Sequence, residues 1–403
     1  MHLSTPSPLH LTYCTNIHPG ESWDAIDRNL KTYLPILKQR LSPHQPFGVG
    51  LRLADAATDD LLAKDTLSQF QTWLQEQGLY VFTVNGFPFG GFHHQVVKDR
   101  VYAPDWSIQE RLTYTQRLIR ILAVLLPEGM DGGISTLPLS YKPWWQEDAM
   151  ERVFQHSTLH LAQAVMTMAQ VHQETGKLIH LDLEPEPDGL IENAQETIAF
   201  FQNWLLPIGI PALMKRLGVH AETAETLLRR HIRLCYDTCH FAVEYEEPKS
   251  ALTALQQAGI AIGKFQLSAA LKIALPDLAQ RQSLVEALSP FAESTYLHQV
   301  ISRSADGTLQ HYTDLTNALP SLNTDEAIEW RIHFHVPIFI DQYSTFASTQ
   351  DHICHVLENL SLAPECTHLE IETYTWDVLP ADMKVDILDS IEREYLWVMK
   401  TLL

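Results

Sequence analysis

The chain has 403 residues, 45% of them hydrophobic, which is enough to bury a large core in one elaborated domain. Its 28 basic residues stand against 49 acidic ones, a formal charge of −21 without a basic cluster, and this argues against a nucleic-acid partner, whose phosphates need a positive footprint. The N-terminus lacks a basic region followed by an apolar one, no run approaches the roughly 18 apolar residues of a membrane span, and five scattered cysteines form no CxxC pair, so a reduced, cytoplasmic protein is predicted.

Short β-like runs alternate with longer helical patterns along the chain. A first strand over Leu9–Tyr13 leads into a helix over Glu21–Leu41, a second strand over Phe47–Leu53 and a helix over Leu67–Gln77 that Gly78 stops. The third strand, Leu79–Val84, ends in the loop Asn85–Gly91. Ser107, spaced from Glu110 as in a capping box, opens a helix to about Leu126. Then follow a strand over Asp131–Leu137, a helix from about Glu151 to Thr175, a fifth strand over Lys177–Leu183, and helices over Ile191–Leu205 and Ala212–Leu217. The sixth strand is Ile232–Tyr236, with a helix over Ser250–Ala258 behind it. The seventh is Ile260–Leu267, followed by a helix over Asp277–Leu288, and the last is His368–Glu372.

Eight strands separated by helices in near-strict alternation predict a TIM (β/α)8 barrel, one domain over residues 1–403. One stretch breaks the rhythm. Tyr296–Thr313 reads as a β-hairpin with its turn at Asp306-Gly307, and Trp330–Phe339 as a further β-like run. Both are assigned to an insertion over about residues 291–345, before the last strand, that covers the barrel mouth. The alternative makes Ile332–Val336 itself a barrel strand.

The working residues of such a barrel lie at the C-terminal strand ends. Strand five ends at Glu184. Strand six ends at Asp237, with His240 three residues on. Strand seven carries Gln266, and strand eight carries Glu370 and Glu372. The last two share strand parity, and Glu372 is preferred because it lies nearer the rim. Carboxylates and an amide oxygen from consecutive strands make a hard site that suits Mn²⁺ or Mg²⁺, and Zn²⁺ less strongly. Each residue also has a plainer role: Asp237 as the cap of the following turn, Glu184 as a helix N-terminal charge, Gln266 as a polar strand residue.

Further candidate substrate contacts are His18, Arg52, Asn85, Lys142, His298, Arg303, His335 and Trp376. His18 and Asn85 follow strands one and three, and His298 and Arg303 lie in the insertion. His333 and His335 share one strand face, so both can face the site or the core. Phe87-Pro88-Phe89 reads as a hydrophobic wall. Gly90-Gly91 matches neither a P-loop nor GxGxxG, and no nucleotide is assigned.

The succession Glu184-Pro185, Asp237-x-x-His240, Phe265-Gln266-Leu267 and Glu372-x-Tyr374 resembles the xylose isomerase-like superfamily of sugar isomerases and epimerases. The resemblance implies that Glu184, Asp237, Gln266 and Glu372 hold one divalent metal (Mn²⁺, Mg²⁺ or Zn²⁺). It also implies that Glu184 and Glu372 form the proton-transfer pair and that His240 touches a substrate oxygen. Proton transfer would pass through a metal-stabilised enediolate.

Four longer phrases, over Thr12–Trp23, Asn85–His93, Val101–Trp106 and Ser135–Lys142, are similar to the EboE family ("metabolite traffic protein EboE"). That similarity implies a step on a polyhydroxylated small molecule, a sugar or cyclitol, in an ebo-type pathway, with contacts to other proteins of that pathway. Two other functions compete. One is a non-catalytic metabolite-binding protein. The other is a metal-dependent phosphoesterase, which the acidity and the sparse His at strand ends disfavour.

Overall fold

The computed structural model describes residues 1–3, 8–275, 281–324, 326–343, 345–381 and 383–402. Eight parallel strands form the barrel: β1 (Leu9–Tyr13), β2 (Phe47–Arg52), β3 (Leu79–Asn85), β4 (Gly132–Thr136), β5 (Ile179–Leu183), β6 (Ile232–Asp237), β7 (Ile262–Leu267) and β8 (His368–Ile371). β8 pairs with both β7 and β1, and the other strands follow in sequence. The circuit closes between β1 and β2 through a parallel bridge at Cys14 and Gly50, and the Thr12 hydroxyl donates across this seam to the Gly48 carbonyl at 3.0 Å. Gly50 permits the closure, because a Cβ there would lie 2.7 Å from the Tyr13 carbonyl and 1.8 Å from Oε1 of Glu370. His2–Leu3 adds a short antiparallel strand beside β1.

Strand alternation splits the side chains sharply. Leu181, Leu183, Leu234, Phe265, Leu267, Leu369 and Ile371 are buried in the apolar core. Their neighbours Asp182, Lys264, Gln266, His368 and Glu370 are equally buried, on the opposite strand face. A barrel interior is ordinarily filled by branched aliphatic residues. Here it is filled by paired polar ones: Lys264 Nζ contacts Glu370 Oε2 at 2.5 Å and Ser135 Oγ at 3.1 Å, and His180 Nδ1 contacts Asp182 Oδ1 at 2.6 Å. Pairing offsets the desolvation that burial imposes on each charge.

Several local expectations hold and several do not. Ser22 caps the helix Trp23–Leu41, accepting from the Ala25 amide, and Gly78 ends Thr66–Gln77 in the left-handed conformation at φ 64°. The capping box at Ser107 does not form: the helix Gln109–Leu125 follows Ile108, and the Ser107 hydroxyl donates to Asp105 instead. Of the helix expected over Asp277–Leu288, residues 281–288 are helical, and 277–280 lie outside the described residues. Helices over Asp55–Leu62, Ala221–His231, Gln350–Glu358 and Ile387–Leu402 add to those read from the sequence. The run Ala194–Leu217 is long and apolar enough to cross a membrane by length and composition, which corrects the expectation that no run comes near. In the fold it is an outer helix with a π-type turn at Phe201–Leu205, and Phe200, Phe201, Leu205 and Leu213 are buried in the core.

The insertion is wider than residues 291–345. It is a five-stranded antiparallel sheet whose strands are Ala269–Ala274, Val300–Arg303, Leu309–Tyr312, Glu329–Val336 and Ala347–Ser348. It begins two residues after β7 ends, and Ile332–Val336 belongs to this cap sheet, not to the barrel. The central strand slips register between Ile332 and Val336. Such an irregularity re-aims side chains, and this one carries His333 and His335.

Candidate metal and active site

Asp237 ends β6 and caps the helix Thr238–Val243. Its Oδ1 accepts from the Cys239 amide (2.8 Å), the His240 amide (3.0 Å) and the Ser268 hydroxyl (2.6 Å). Its Oδ2 is buried without a partner among the described residues. The two roles read from sequence are therefore divided between the two oxygens: one caps, the other is free to bind. Glu184 follows β5 and is buried with Oε2 unpartnered. Glu372 follows β8, and its Oε1 accepts from Asn16 Nδ2 (2.7 Å) and Asn85 Nδ2 (3.0 Å). Glu184, Asp237 and Glu372 each offer an oxygen within 4.8 Å of the other two. Gln266 stands opposite Asp237 in register, with both ends of its buried amide unpartnered.

Burial pushes the Glu372 carboxyl up to about 8, with the Asp237 and Glu370 charges adding. Burial, then Glu372 and Asp237, holds Glu184 well above the usual carboxylate range. Buried oxygens without donors, in a like-charged group, suit a divalent cation, and this donor set fits one. Glu370 is committed to Lys264, one layer deeper.

Three imidazoles lie beside the carboxylates. His240 Nδ1 faces the Pro185 carbonyl at 3.1 Å, His333 Nδ1 faces Gln299 Oε1 at 2.8 Å, and His335 Nδ1 faces the Glu372 carbonyl at 3.1 Å. Burial lowers all three pKa values, that of His335 to about 4. Glu186, also buried, keeps Oε1 unpartnered.

Several of these groups line a small cavity of about 60 Å³. Asn16, Asn85, Glu184, Glu186, His240, His333 and Glu372 supply its polar floor, while Phe87, Phe92, Tyr102, Tyr296 and Tyr374 supply aromatic walls. Phe87 is thus part of the wall expected from its loop.

Other predicted contacts are placed elsewhere: His18, Arg52, Lys142, His298, Arg303 and Trp376 do not line this cavity. His18 bonds the Tyr13 hydroxyl at 2.9 Å and stacks on Tyr33 at 4.1 Å. Arg52 binds Glu21 at 2.9 Å and the Gly90 carbonyl at 2.5 Å, pinning the loop after β3. Lys142 is held by Glu192 at 2.5 Å and Glu196 at 3.2 Å. His298 bonds Glu293 at 2.8 Å and the His333 carbonyl at 3.0 Å, so it fixes the cap strand. Arg303 pairs with Glu329 at 3.3 Å and lies over Tyr245, and Trp376 carries Lys384 over its ring. Asn85 is in the site. His335 sits above the floor, its Nε2 unpartnered, within reach of Asp237 and His240.

Sequence reasoning assigned no role to Asn16 or Glu186. Glu186 sits two residues after Glu184 in the same Glu-Pro-Glu-Pro phrase, and Asn16 lies in the loop after β1, so strand-end position was the available signal for both.

A parallel eight-stranded barrel with acidic groups at the C-terminal strand ends defines the fold class, that of the TIM barrels. A solved L-ribulose 3-epimerase is similar at TM-score 0.50 and 11% identity, over 98% of this chain and 94% of its own. Two further solved structures cover nearly the whole chain: a D-allulose 3-epimerase from Methylomonas sp. (TM-score 0.48, 10% identity, 99% of this chain and 100% of its own) and a xylose isomerase-like TIM barrel protein from Mycobacterium smegmatis in complex with magnesium (TM-score 0.49, 10% identity, 98% of each). At these identities the likeness is one of fold. No protein-family model and no curated sequence matches the chain.

Proposed function

We propose that this chain is a divalent-metal-dependent isomerase or epimerase of a polyhydroxylated small molecule, a sugar or cyclitol. The observation that carries the reading is the convergence of Glu184, Asp237 and Glu372 within 4.8 Å, with a buried oxygen of Glu184 and one of Asp237 unpartnered, at a cavity that Glu184 and Glu372 line. Glu184, Asp237, Gln266 and Glu372 would hold the cation. When bound, it supplies positive charge that stabilises an oxyanion developing beside an acidified C–H.

The protein's own groups do the rest. Asn16 and Asn85 fix Glu372 through one oxygen and leave Oε2 to take or return a proton. Glu184, from the end of β5, is the second proton-transfer carboxyl. The aromatic walls exclude water and present apolar surface to the C–H faces of a sugar-like ring. His240 and His335 are the neighbouring groups for substrate oxygens. The phrases similar to the EboE family support a place for this step in an ebo-type pathway, in contact with its other proteins and in the cytoplasm.

The test is incubation of the Mn²⁺-loaded protein in deuterated water with a panel of ketoses, their phosphates and cyclitol ketones. Deuterium should enter the carbon next to the carbonyl, and Glu184→Gln and Glu372→Gln should each stop it. A bound panel member that never exchanges would move the reading to a metabolite-binding protein. Metal-dependent release of phosphate without exchange would move it to a phosphoesterase, the second reading, which the imidazoles beside the carboxylates favour.

A further inference from the structure

The hydrogen-bond partners of His240 and His333 fix their tautomers. The Pro185 carbonyl can only accept, so His240 Nδ1 carries the hydrogen. Gln299 donates its Nε2 to the Pro187 carbonyl at 3.0 Å, which turns Oε1 toward His333, so His333 Nδ1 also carries the hydrogen. In the neutral rings both Nε2 atoms then carry lone pairs that face each other at 3.1 Å, and the one further contact of His333 Nε2 is the Tyr374 hydroxyl at a long 3.5 Å. Two lone pairs at that distance repel unless a positive centre lies between them and the surroundings. Two imidazole nitrogens on one tetrahedral zinc, each bonded at about 2.0–2.1 Å, stand roughly 3.3 Å apart. Glu186 adds a carboxylate: its Oε2 lies 3.9 Å from His240 Nε2, and its Oε1 is buried without a partner. The three ligand atoms lie within 4.8 Å of one another.

We propose that this chain binds a second divalent cation, of zinc type, through Nε2 of His240, Nε2 of His333 and the carboxylate of Glu186. The donor set differs in kind from the first. Glu184, Asp237, Gln266 and Glu372 offer oxygen only, whereas this one offers two imidazoles and suits a softer ion. Each imidazole has its far nitrogen anchored on an oxygen, the arrangement that orients histidine ligands toward a metal. All three residues also line the cavity, so the remaining coordination position faces the substrate space. Asp237 Oδ1 stands 3.8 Å from His240 Nε2, which makes the two sites adjacent. His333 belongs to the cap sheet, beside its register slip, so the second site exists only with the cap in place.

Zinc content by mass spectrometry, after incubation with Zn²⁺ and dialysis, tests this on the full chain. X-ray absorption at the zinc edge accompanies it. The wild type should hold two equivalents, with imidazole scattering averaging about one ring per zinc. His333→Gln should lose one equivalent and its imidazole signal while keeping the other, and Glu372→Gln should lose the complementary equivalent. One equivalent in the wild type overturns the proposal and leaves the single-metal reading standing, provided Glu372→Gln loses it. None overturns both. A second equivalent without imidazole scattering also overturns the proposal, and that measurement on the wild type does not depend on any variant folding.

Discussion

Glu370 lies on β8 and Glu372 just past its end, and the structure gives them opposite consequences on substitution. Glu370 and Lys264 form an ion pair at 2.5 Å with both side chains fully buried. Burial alone would lower the Lys264 pKa; the Glu370 carboxylate, together with Cys235, Glu184 and Cys14, outweighs it and the pKa stands well above its ordinary value. Glu370→Gln leaves that ammonium buried without a counter-charge, which costs about 3–5 kcal/mol. With an unfolding entropy of about 2.1 cal/mol/K per residue over 403 residues, the midpoint falls by about 4–6 °C. Glu372→Gln instead removes a carboxyl that burial and its acidic neighbours keep largely protonated in the metal-free protein at neutral pH, so no buried charge loses its partner. The metal-free Glu372→Gln protein should be as stable as the wild type or more so, yet fail to take up the metal. The assay is denaturant unfolding of chelator-treated protein beside metal content for each variant. Adding Lys264→Met to Glu370→Gln should restore most of the lost stability. Loss of metal in Glu370→Gln with stability unchanged would refute the division of labour.

Other outcomes follow from single contacts. A Cβ at Gly263 would lie 1.9 Å from Oδ1 of Asp182, which is bound to His180, so Gly263→Ala should lose about 3 kcal/mol in the same unfolding assay; full stability would show that the barrel interior yields there. Asn16→Ala removes the 2.7 Å donor to Glu372 and should weaken metal affinity by about tenfold or more in calorimetric titration, with unchanged affinity counting against its orienting role. Burial raises the Glu394 carboxyl to about 7. Its folded pKa lies above the unfolded value, so its stability contribution is complete below about pH 4.5 and is lost as pH rises through 7. Glu394→Gln should therefore match the wild type near pH 4.5 and exceed it by about 3 kcal/mol above pH 8; a pH-independent difference would refute this.

The strand ends were legible because local chemistry marks them. A short apolar run that gives way to Glu184, or to Asp237 with His240 behind it, is visible without any partner strand. Period-two alternation likewise marked His333 and His335 as sharing a face. The cap sheet was only half visible: Ala269–Ala274 reads as a continuation of β7, and nothing local says that the chain changes sheet after Leu267. Lys142 and Arg303 failed as contacts for a related reason. A cation in a loop looks alike whether it faces a ligand or, as here, Glu192 and Glu329.

Sequence by itself determined the barrel, its order of strands and the carboxylates at its rim, because periodicity and strand-end position are properties of neighbouring residues. Only the tertiary structure decided that Glu370 pairs with Lys264 while Glu372 reaches the cavity. It alone left Asp237 Oδ2 without a donor while Oδ1 caps the following turn, and it alone set Nε2 of His240 and Nε2 of His333 against each other at 3.1 Å. Those residues are separated by tens to hundreds of positions along the chain. Which lone pair finds a donor and which does not depends on the side chains that closure of the barrel and docking of the cap sheet bring alongside.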